Sequence, residues 1–109
     1  MSSPTLDRVL DAVLRVDANF DIHFISEPGQ QWLTRISGAE LPTNFTQLVH
    51  PDDTELLQRS LAAPDSFNCD LRLIKDDKEV WINLRSYLLP AARQYVFCIF
   101  DISMWKTEN

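Results

Sequence analysis

The chain has 109 residues, 45% of them hydrophobic, and this composition indicates a single globular domain with one core. Ten Lys and Arg against sixteen Asp and Glu give a formal net charge of −6, which argues against nucleic acid or an anionic membrane as the partner. The sequence contains no apolar stretch near the roughly 20 residues of a spanning helix and no cationic, apolar leader. We therefore expect a cytoplasmic protein whose domain makes no membrane contact.

The two cysteines do not form a recognisable metal or redox motif. Cys69 and Cys98 lie within apolar, strand-like runs, without CxxC spacing and without a nearby histidine. We expect both to be reduced, buried thiols.

The N-terminal segment has the periodicity of a helix. Leu6, Val9, Leu10 and Val13 follow the i, i+3, i+4, i+7 pattern, and Thr5 is suited to cap the first turn. This pattern predicts a helical cap over residues 1–13 with one apolar face.

The period changes to that of strands after the cap. Apolar and polar residues alternate through Leu14–Val16 and again through Ile22–Phe24, which predicts two half-buried strands. Asp17–Asp21 is expected to form the turn between them, with Asn19 in a left-handed conformation.

Two helices are predicted next, from their start and stop signals. Ser26 is suited to cap a helix that ends near Gly38, and Pro51, followed by acidic residues, is suited to start a second helix. Pro64 is expected to stop that second helix. The connection between the two helices, residues 39–47, is predicted to be irregular.

The last third of the chain is predicted to be three antiparallel strands. Alternation runs through Phe67–Leu73 and Val80–Leu88, with Lys75–Lys78 as the hairpin turn. The final strand, Tyr95–Phe100, is apolar on both faces, as expected for a central strand.

This order of elements resembles the PAS family, and several short motifs support the resemblance over the whole chain. They are the opening strand and turn Leu14–Asn19, the His50–Asp53 entry to the longer helix, the acidic-x-Arg strand Asp70–Leu73, Trp81 after the hairpin, and Asp101–Ser103 followed by Lys106. The hairpin departs from the family in lacking glycine. The resemblance implies an α+β fold with a PAS domain over 14–103, a five-stranded antiparallel sheet with short helices on one face, an N-terminal helix over 1–13 and the start of a C-terminal linker over 104–109.

No catalytic or metal-binding constellation is predicted. His50 has no second His or Cys at ligand spacing and is interpreted as part of the helix entry, and Asp52 with Asp53 complements the helix dipole. The reactive-cysteine motif of flavin-binding relatives is absent, and no histidine follows the first turn of the longer helix, so neither flavin nor haem is expected. We expect no enzymatic activity.

The resemblance implies one set of functional residues, in a ligand pocket, and the exit of the last strand together with the apolar outer face of the sheet suggests a second. A small apolar ligand could lie between the sheet and the helices, and the residues expected to line that pocket are Trp32, Phe45, Leu48, Phe67, Leu71 and Ile99. The other set is expected to relay a signal or form an interface: Asp101, Arg85, Trp81, Tyr87, Leu6, Val9 and Leu10. Asp101 is expected to pair with Arg85 or to cap a following helix.

The resemblance implies a sensory or dimerising module of a bacterial-type signalling protein. The parent protein would be a histidine kinase or a diguanylate cyclase or phosphodiesterase, with a C-terminal effector domain. The module is expected to form a homodimer and to relay a conformational change. The alternative is a purely structural protein–protein interaction or dimerisation domain without a ligand.

Overall fold

The sheet of the protein has five antiparallel strands, as predicted. A computed structural model describes residues 10–38, 40–62, 66–75 and 78–103. Strand order across the sheet is β2-β1-β5-β4-β3, so the last strand in sequence is the central one. The strands are β1 (Ala12–Asp17), β2 (Ile22–Ile25), β3 (Ser66–Lys75), β4 (Lys78–Leu89) and β5 (Gln94–Asp101).

Two helices and two short 3₁₀ turns connect β2 to β3. Helix α1 is Glu27–Ser37 and helix α2 is Thr54–Ala62, while the 3₁₀ turns are Phe45–Gln47 and Pro51–Asp53. The predicted second helix therefore begins with a 3₁₀ turn rather than with a regular α-helical turn.

The capping signals read from the sequence are present at α1. The Ser26 hydroxyl accepts a hydrogen bond from the backbone N–H of Gly29 over 3.2 Å, and Gly38 closes the helix with φ of 91°. Ser26 Oγ also accepts from the backbone N–H of Val13 over 3.1 Å, which fixes α1 against β1.

The core lies between the inner face of the sheet and the helices. Alternate residues of each long strand point into it, so the two faces of the sheet differ in polarity. The fully buried large side chains are Leu14, Val16, Leu33, Phe45, Leu57, Leu71, Leu73, Ile82, Leu84, Phe97 and Ile99.

Two local predictions differ from the structure. Val13 lies in β1 rather than in the predicted N-terminal helix, because β1 begins at Ala12 and pairs there with Ile99. Leu6 and Val9 lie outside the described residues, and Leu10 precedes β1 and is half-buried.

In the β1–β2 turn, Phe20 rather than Asn19 has a positive φ, at 67°. The buried ring of Phe20 has its centroid 6.4 Å from that of Phe97, and this packing offsets the backbone strain.

Candidate functional site

The carboxylate of Asp101, at the end of β5, joins separate segments of the chain. The indole N–H of Trp32 in α1 donates to its Oδ2 over 3.1 Å, and the backbone N–H of Ser103 donates to its Oδ1 over 2.9 Å. The backbone N–H of Asp101 in turn donates to Oδ2 of Asp11 over 2.6 Å. Asp101 therefore links α1, the residue before β1 and the residues after β5.

Ser103 connects the same position to β4. The backbone N–H of Trp81 donates to Ser103 Oγ over 3.1 Å, and the backbone N–H of Ile102 donates to the Trp81 carbonyl over 2.9 Å. We call Asp11, Trp32, Trp81, Asp101 and Ser103 the Asp101 junction. Both carboxylate oxygens of Asp101 accept hydrogen bonds from positioned donors, and this arrangement holds the segments together.

The predicted pairing of Asp101 with Arg85 is wrong. Asp101 is in register with Ile82 of β4, whose side chain is buried on the inner face, whereas Arg85 is exposed on the opposite face. The guanidinium of Arg85 lies 5.6 Å from the ring centroid of Phe100 instead. The alternation of side chains along β4 makes the pairing impossible.

A second polar cluster lies where α2 begins. Asp53 accepts from the backbone N–H of Arg72 over 2.7 Å, and from its Nε and NH2 over 3.0 and 2.9 Å. The hydrogen bond from the Arg72 guanidinium holds the pKa of Asp53 below its usual range. His50 Nδ1 accepts from the backbone N–H of Asp52 over 3.1 Å, so His50 caps the turn as predicted. This cluster attaches the start of α2 to the middle of β3.

Five of the six residues predicted to line a pocket belong to the packed core. Trp32, Phe45, Leu48, Leu71 and Ile99 are at most 4% exposed, and all five are members of one core cluster. The sixth residue, Phe67, is half-buried at the start of β3. These five side chains therefore pack in the core between the sheet and the helices, and their role as pocket residues stays a prediction.

A shallow groove lies elsewhere, along edge strand β2. Its volume is about 340 Å³, and it is lined by Ile22, His23, Phe24, Ile25, Gln30, Leu41, Pro42 and Thr43. The backbone N–H of Ile22 donates to the Thr43 carbonyl over 2.9 Å, and Nε2 of Gln30 donates to the Ile25 carbonyl over 3.1 Å. Because the chain itself binds both ends of this edge, the addition of a further strand there is disfavoured.

The outer face of the sheet carries the predicted interface residues Trp81 and Tyr87. Tyr87 is 43% exposed, and Phe24 on the same face is 46% exposed. Arg15, Arg72 and Arg85 place their guanidinium carbons 5.4–5.6 Å from the ring centroids of Phe24, Trp81 and Phe100. This face is therefore a mixed aromatic and cationic surface.

Two classes of site are not found in the described residues. None of them form a group of three or more His, Cys, Asp or Glu able to hold a metal ion. In the part of the chain that the structure covers, no helix has the length and apolar character needed to cross a membrane.

Two structural features were not predicted from the sequence. The Trp32–Asp101 hydrogen bond joins residues 69 positions apart, and only the packing of α1 over the sheet brings them together. The other feature is Ser86, a buried serine in the middle of β4; its inward position in an otherwise apolar alternation was the available signal.

The comparisons with known proteins identify the fold. No family model and no curated protein matches the sequence. The PAS domain of nitrogen regulation protein NR(II) from Vibrio parahaemolyticus superposes with a TM-score of 0.63 at 20% identity, over 94% of this chain and 100% of that one. A variant of Drosophila melanogaster Cycle PAS-B with bound glycerol gives a TM-score of 0.62 at 16% identity, over 83% of this chain and 98% of that one. The chain therefore has the α+β PAS fold that its motifs predicted.

Proposed function

We propose that this chain is a non-catalytic signalling module that transmits changes in its core to the end of β5. The observation that carries the proposal is the hydrogen bond from Trp32 to Asp101. Trp32 is 4% exposed and belongs to the core cluster, so a change in core packing displaces its indole. Asp101 fixes Ser103 and contacts Asp11, and the displacement therefore reaches the residues that flank the sheet.

A sensory role for the module is supported by its structural neighbours. The NR(II) domain belongs to a nitrogen regulation protein, and the Cycle PAS-B variant holds a small molecule, glycerol. We propose that a small ligand or a partner shifts this chain between two packing states, and that neither flavin nor haem is involved.

The proposed parent is a cytoplasmic, bacterial-type histidine kinase, diguanylate cyclase or phosphodiesterase with its effector domain C-terminal to this module. The reading frame that follows Asn109 in the gene tests this proposal for the parent protein and its effector domain. A kinase or cyclic-dinucleotide domain there supports the proposal, and a stop codon contradicts it.

Hydrogen exchange tests the relay within the module. Trp32→Phe keeps an aromatic ring in the core but removes the indole N–H, so we expect faster amide exchange at Ile102 and Ser103. Gln31→Ala, at an exposed position of the same helix, is the matched control and is expected to leave exchange at both residues unchanged. Unchanged exchange in Trp32→Phe would show that α1 does not control the end of β5.

A structural dimerisation domain is the second candidate, and the exposed aromatic outer face favours it. Tyr87 and Phe24 are both more than 40% exposed on that face. We propose an isologous homodimer through this surface. Light scattering after gel filtration should give a dimer mass for the wild-type chain and a monomer mass for Tyr87→Glu. A wild-type monomer at 100 µM, a concentration of roughly the order at which weak dimers form, would exclude this assembly.

A further inference from the structure

Three helical segments of the described chain begin with a side-chain cap, and of these caps only His50 can take up a proton near neutral pH. Ser26 Oγ accepts from the backbone N–H of Gly29, and Asn44 Oδ1 accepts from that of Thr46. Hydroxyl and amide oxygens keep this role at any pH near neutrality. His50 caps its turn with an imidazole nitrogen, and imidazole is the side-chain group that ordinarily changes charge between about pH 5 and 8.

The hydrogen bonds of His50 define its tautomer. Nδ1 accepts from the backbone N–H of Asp52 over 3.1 Å, so this nitrogen carries no proton. The proton of the neutral ring is therefore on Nε2, which lies 3.7 Å from Oε2 of Glu79 in β4. Protonation converts Nδ1 from an acceptor into a donor, and a donor cannot cap the Asp52 amide. The cap before α2 thus exists only while the ring is neutral.

Carboxylates surround the ring and would hold it once it is charged. Oδ2 of Asp52, on the turn itself, lies 3.8 Å from Nδ1, and Glu79 approaches Nε2 from β4. Asp53 also faces His50, but its carboxylate is engaged by the guanidinium of Arg72 in β3. The His50 side chain is 17% exposed, so a charge on the ring is stabilised by these carboxylates more than by water. A proton on Nδ1 therefore exchanges one backbone hydrogen bond for two ion pairs.

The main chain at His50 is fixed to the edge strand β3, so the ring and the turn are the parts that respond to the proton. The backbone N–H of His50 donates to the Arg72 carbonyl over 2.9 Å, and the preceding residue, Val49, forms a β-bridge with Leu73. Neither interaction involves the imidazole. The change is therefore confined to the Asp52 amide and to the contacts of the ring.

We propose that His50 is a proton-operated switch where the start of α2 meets the sheet. The neutral ring caps the Asp52 amide. The charged ring, after taking one proton from solvent, releases this amide and binds the carboxylates of Asp52 and Glu79. A fall in pH thus loosens the turn before α2 and attaches its first residue to β4. Because the signal is a proton, the switch goes beyond the proposed function and does not depend on the hydrogen bond from Trp32.

A pH titration of the whole isotope-labelled chain between about pH 8 and 5, followed by two-dimensional NMR, tests the switch. We expect the amide proton signal of Asp52 to move upfield with the same midpoint as the signals of the His50 ring nitrogens, because its hydrogen bond is lost as Nδ1 gains the proton. Exchange of this amide with solvent, relative to its intrinsic rate, should become about fivefold faster, the effect of losing one N-cap.

His50→Asn supplies a cap that does not titrate, since asparagine is a preferred N-cap residue. In this variant the Asp52 amide signal should keep its position over the same pH range. His23→Asn changes the other histidine of the chain and is the matched control. It should leave the titration of the Asp52 amide as it is in the wild type.

The opposite results overturn the switch, and most of them need no variant. In the wild type they are an Asp52 amide that stays unchanged while the His50 ring gains its proton, an Nδ1 that is already protonated at about pH 8, and a ring that remains neutral down to about pH 5. In His50→Asn, an Asp52 amide that still titrates would assign the change to a carboxyl group. None of these results affects exchange at Ile102 and Ser103 in Trp32→Phe, so failure of the switch is distinguishable from failure of the relay.

Discussion

Asp53, at the end of the 3₁₀ turn before α2, holds Arg72 of β3 through three hydrogen bonds of 2.7–3.0 Å. One of the three donors is the backbone N–H of Arg72, so Asp53 binds the main chain of β3 as well as the guanidinium group. The side chains are 13% and 24% exposed, which limits screening by solvent. The pair fixes the position of α2 relative to the sheet.

Asp53→Asn should destabilise the fold, whereas Asp52→Asn should not. The amide cannot accept all three hydrogen bonds and removes the negative charge that pairs directly with Arg72, so we expect a loss of about 2 kcal/mol in the free energy of unfolding. Asp52 is the matched control because its side chain is 75% exposed. Urea unfolding at pH 7 measures both variants, and equal midpoints for Asp53→Asn and Asp52→Asn would contradict the prediction.

The contribution of Asp53 to the free energy of unfolding should also depend on pH. The hydrogen bond from Arg72 lowers the pKa of Asp53 in the folded state below its value of about 3.9 in the unfolded chain. The carboxylate therefore stabilises the fold fully above pH 4–5, roughly, and this stabilisation is lost as the pH falls through the folded-state pKa. In urea titrations, the difference in free energy of unfolding between wild type and Asp53→Asn should be constant from about pH 5 to 7. This difference should shrink below about pH 4. A gap that persists undiminished at pH 2 would show that ionisation of Asp53 is not its source.

The sheet and helices were predictable because their signals are local. Alternation along β4, the continuous apolar run of β5 and the caps at Ser26 and His50 depend on neighbouring residues, and the structure confirms the half-buried strand, the central strand and both caps. The positive φ at Phe20 was not predictable in this way. Turn propensity favours Asn19, but packing of the Phe20 ring against Phe97 decides which residue is left-handed.

The candidate site was only partly predictable, for the same reason. The sequence predicted Asp101 as a signal-relay or interface residue. Its partner Trp32 is distant in the chain, and the way α1 crosses the sheet decides that these two side chains meet. Arg85 was a reasonable partner by charge alone; its strand position puts it on the other face. The buried Ser86 hydroxyl was not predictable either, because only the coordinates reveal that it has no hydrogen-bond partner among the described residues.

Cys69 should be nearly inert to alkylation in the folded chain. Burial, with a smaller contribution from the negative charge of Asp70, raises its pKa from about 9 to about 11. At pH 8 this lowers the thiolate fraction about a hundredfold, and the thiolate is the reactive form. In a Cys98→Ala variant, iodoacetamide should modify Cys69 at least about a hundredfold more slowly in buffer than in urea. Similar rates in the two conditions would show that the thiol is neither buried nor shifted.

Gly29→Ala should destabilise the protein although alanine is the better helix former. A Cβ at Gly29 would lie 2.9 Å from Ser26 Oγ, 3.0 Å from the Ala12 Cβ and 3.1 Å from Ile25 Cγ2, so the methyl group would force α1 away from β1 and β2. Overpacking of this kind costs about 1–3 kcal/mol, which exceeds the gain of up to about 1 kcal/mol in helix propensity. Gln31→Ala, on the exposed side of the same helix, is the control and should leave the free energy of unfolding within about 0.5 kcal/mol. Urea unfolding compares the two variants, and a Gly29→Ala protein as stable as wild type would mean that α1 does not pack this closely on the sheet.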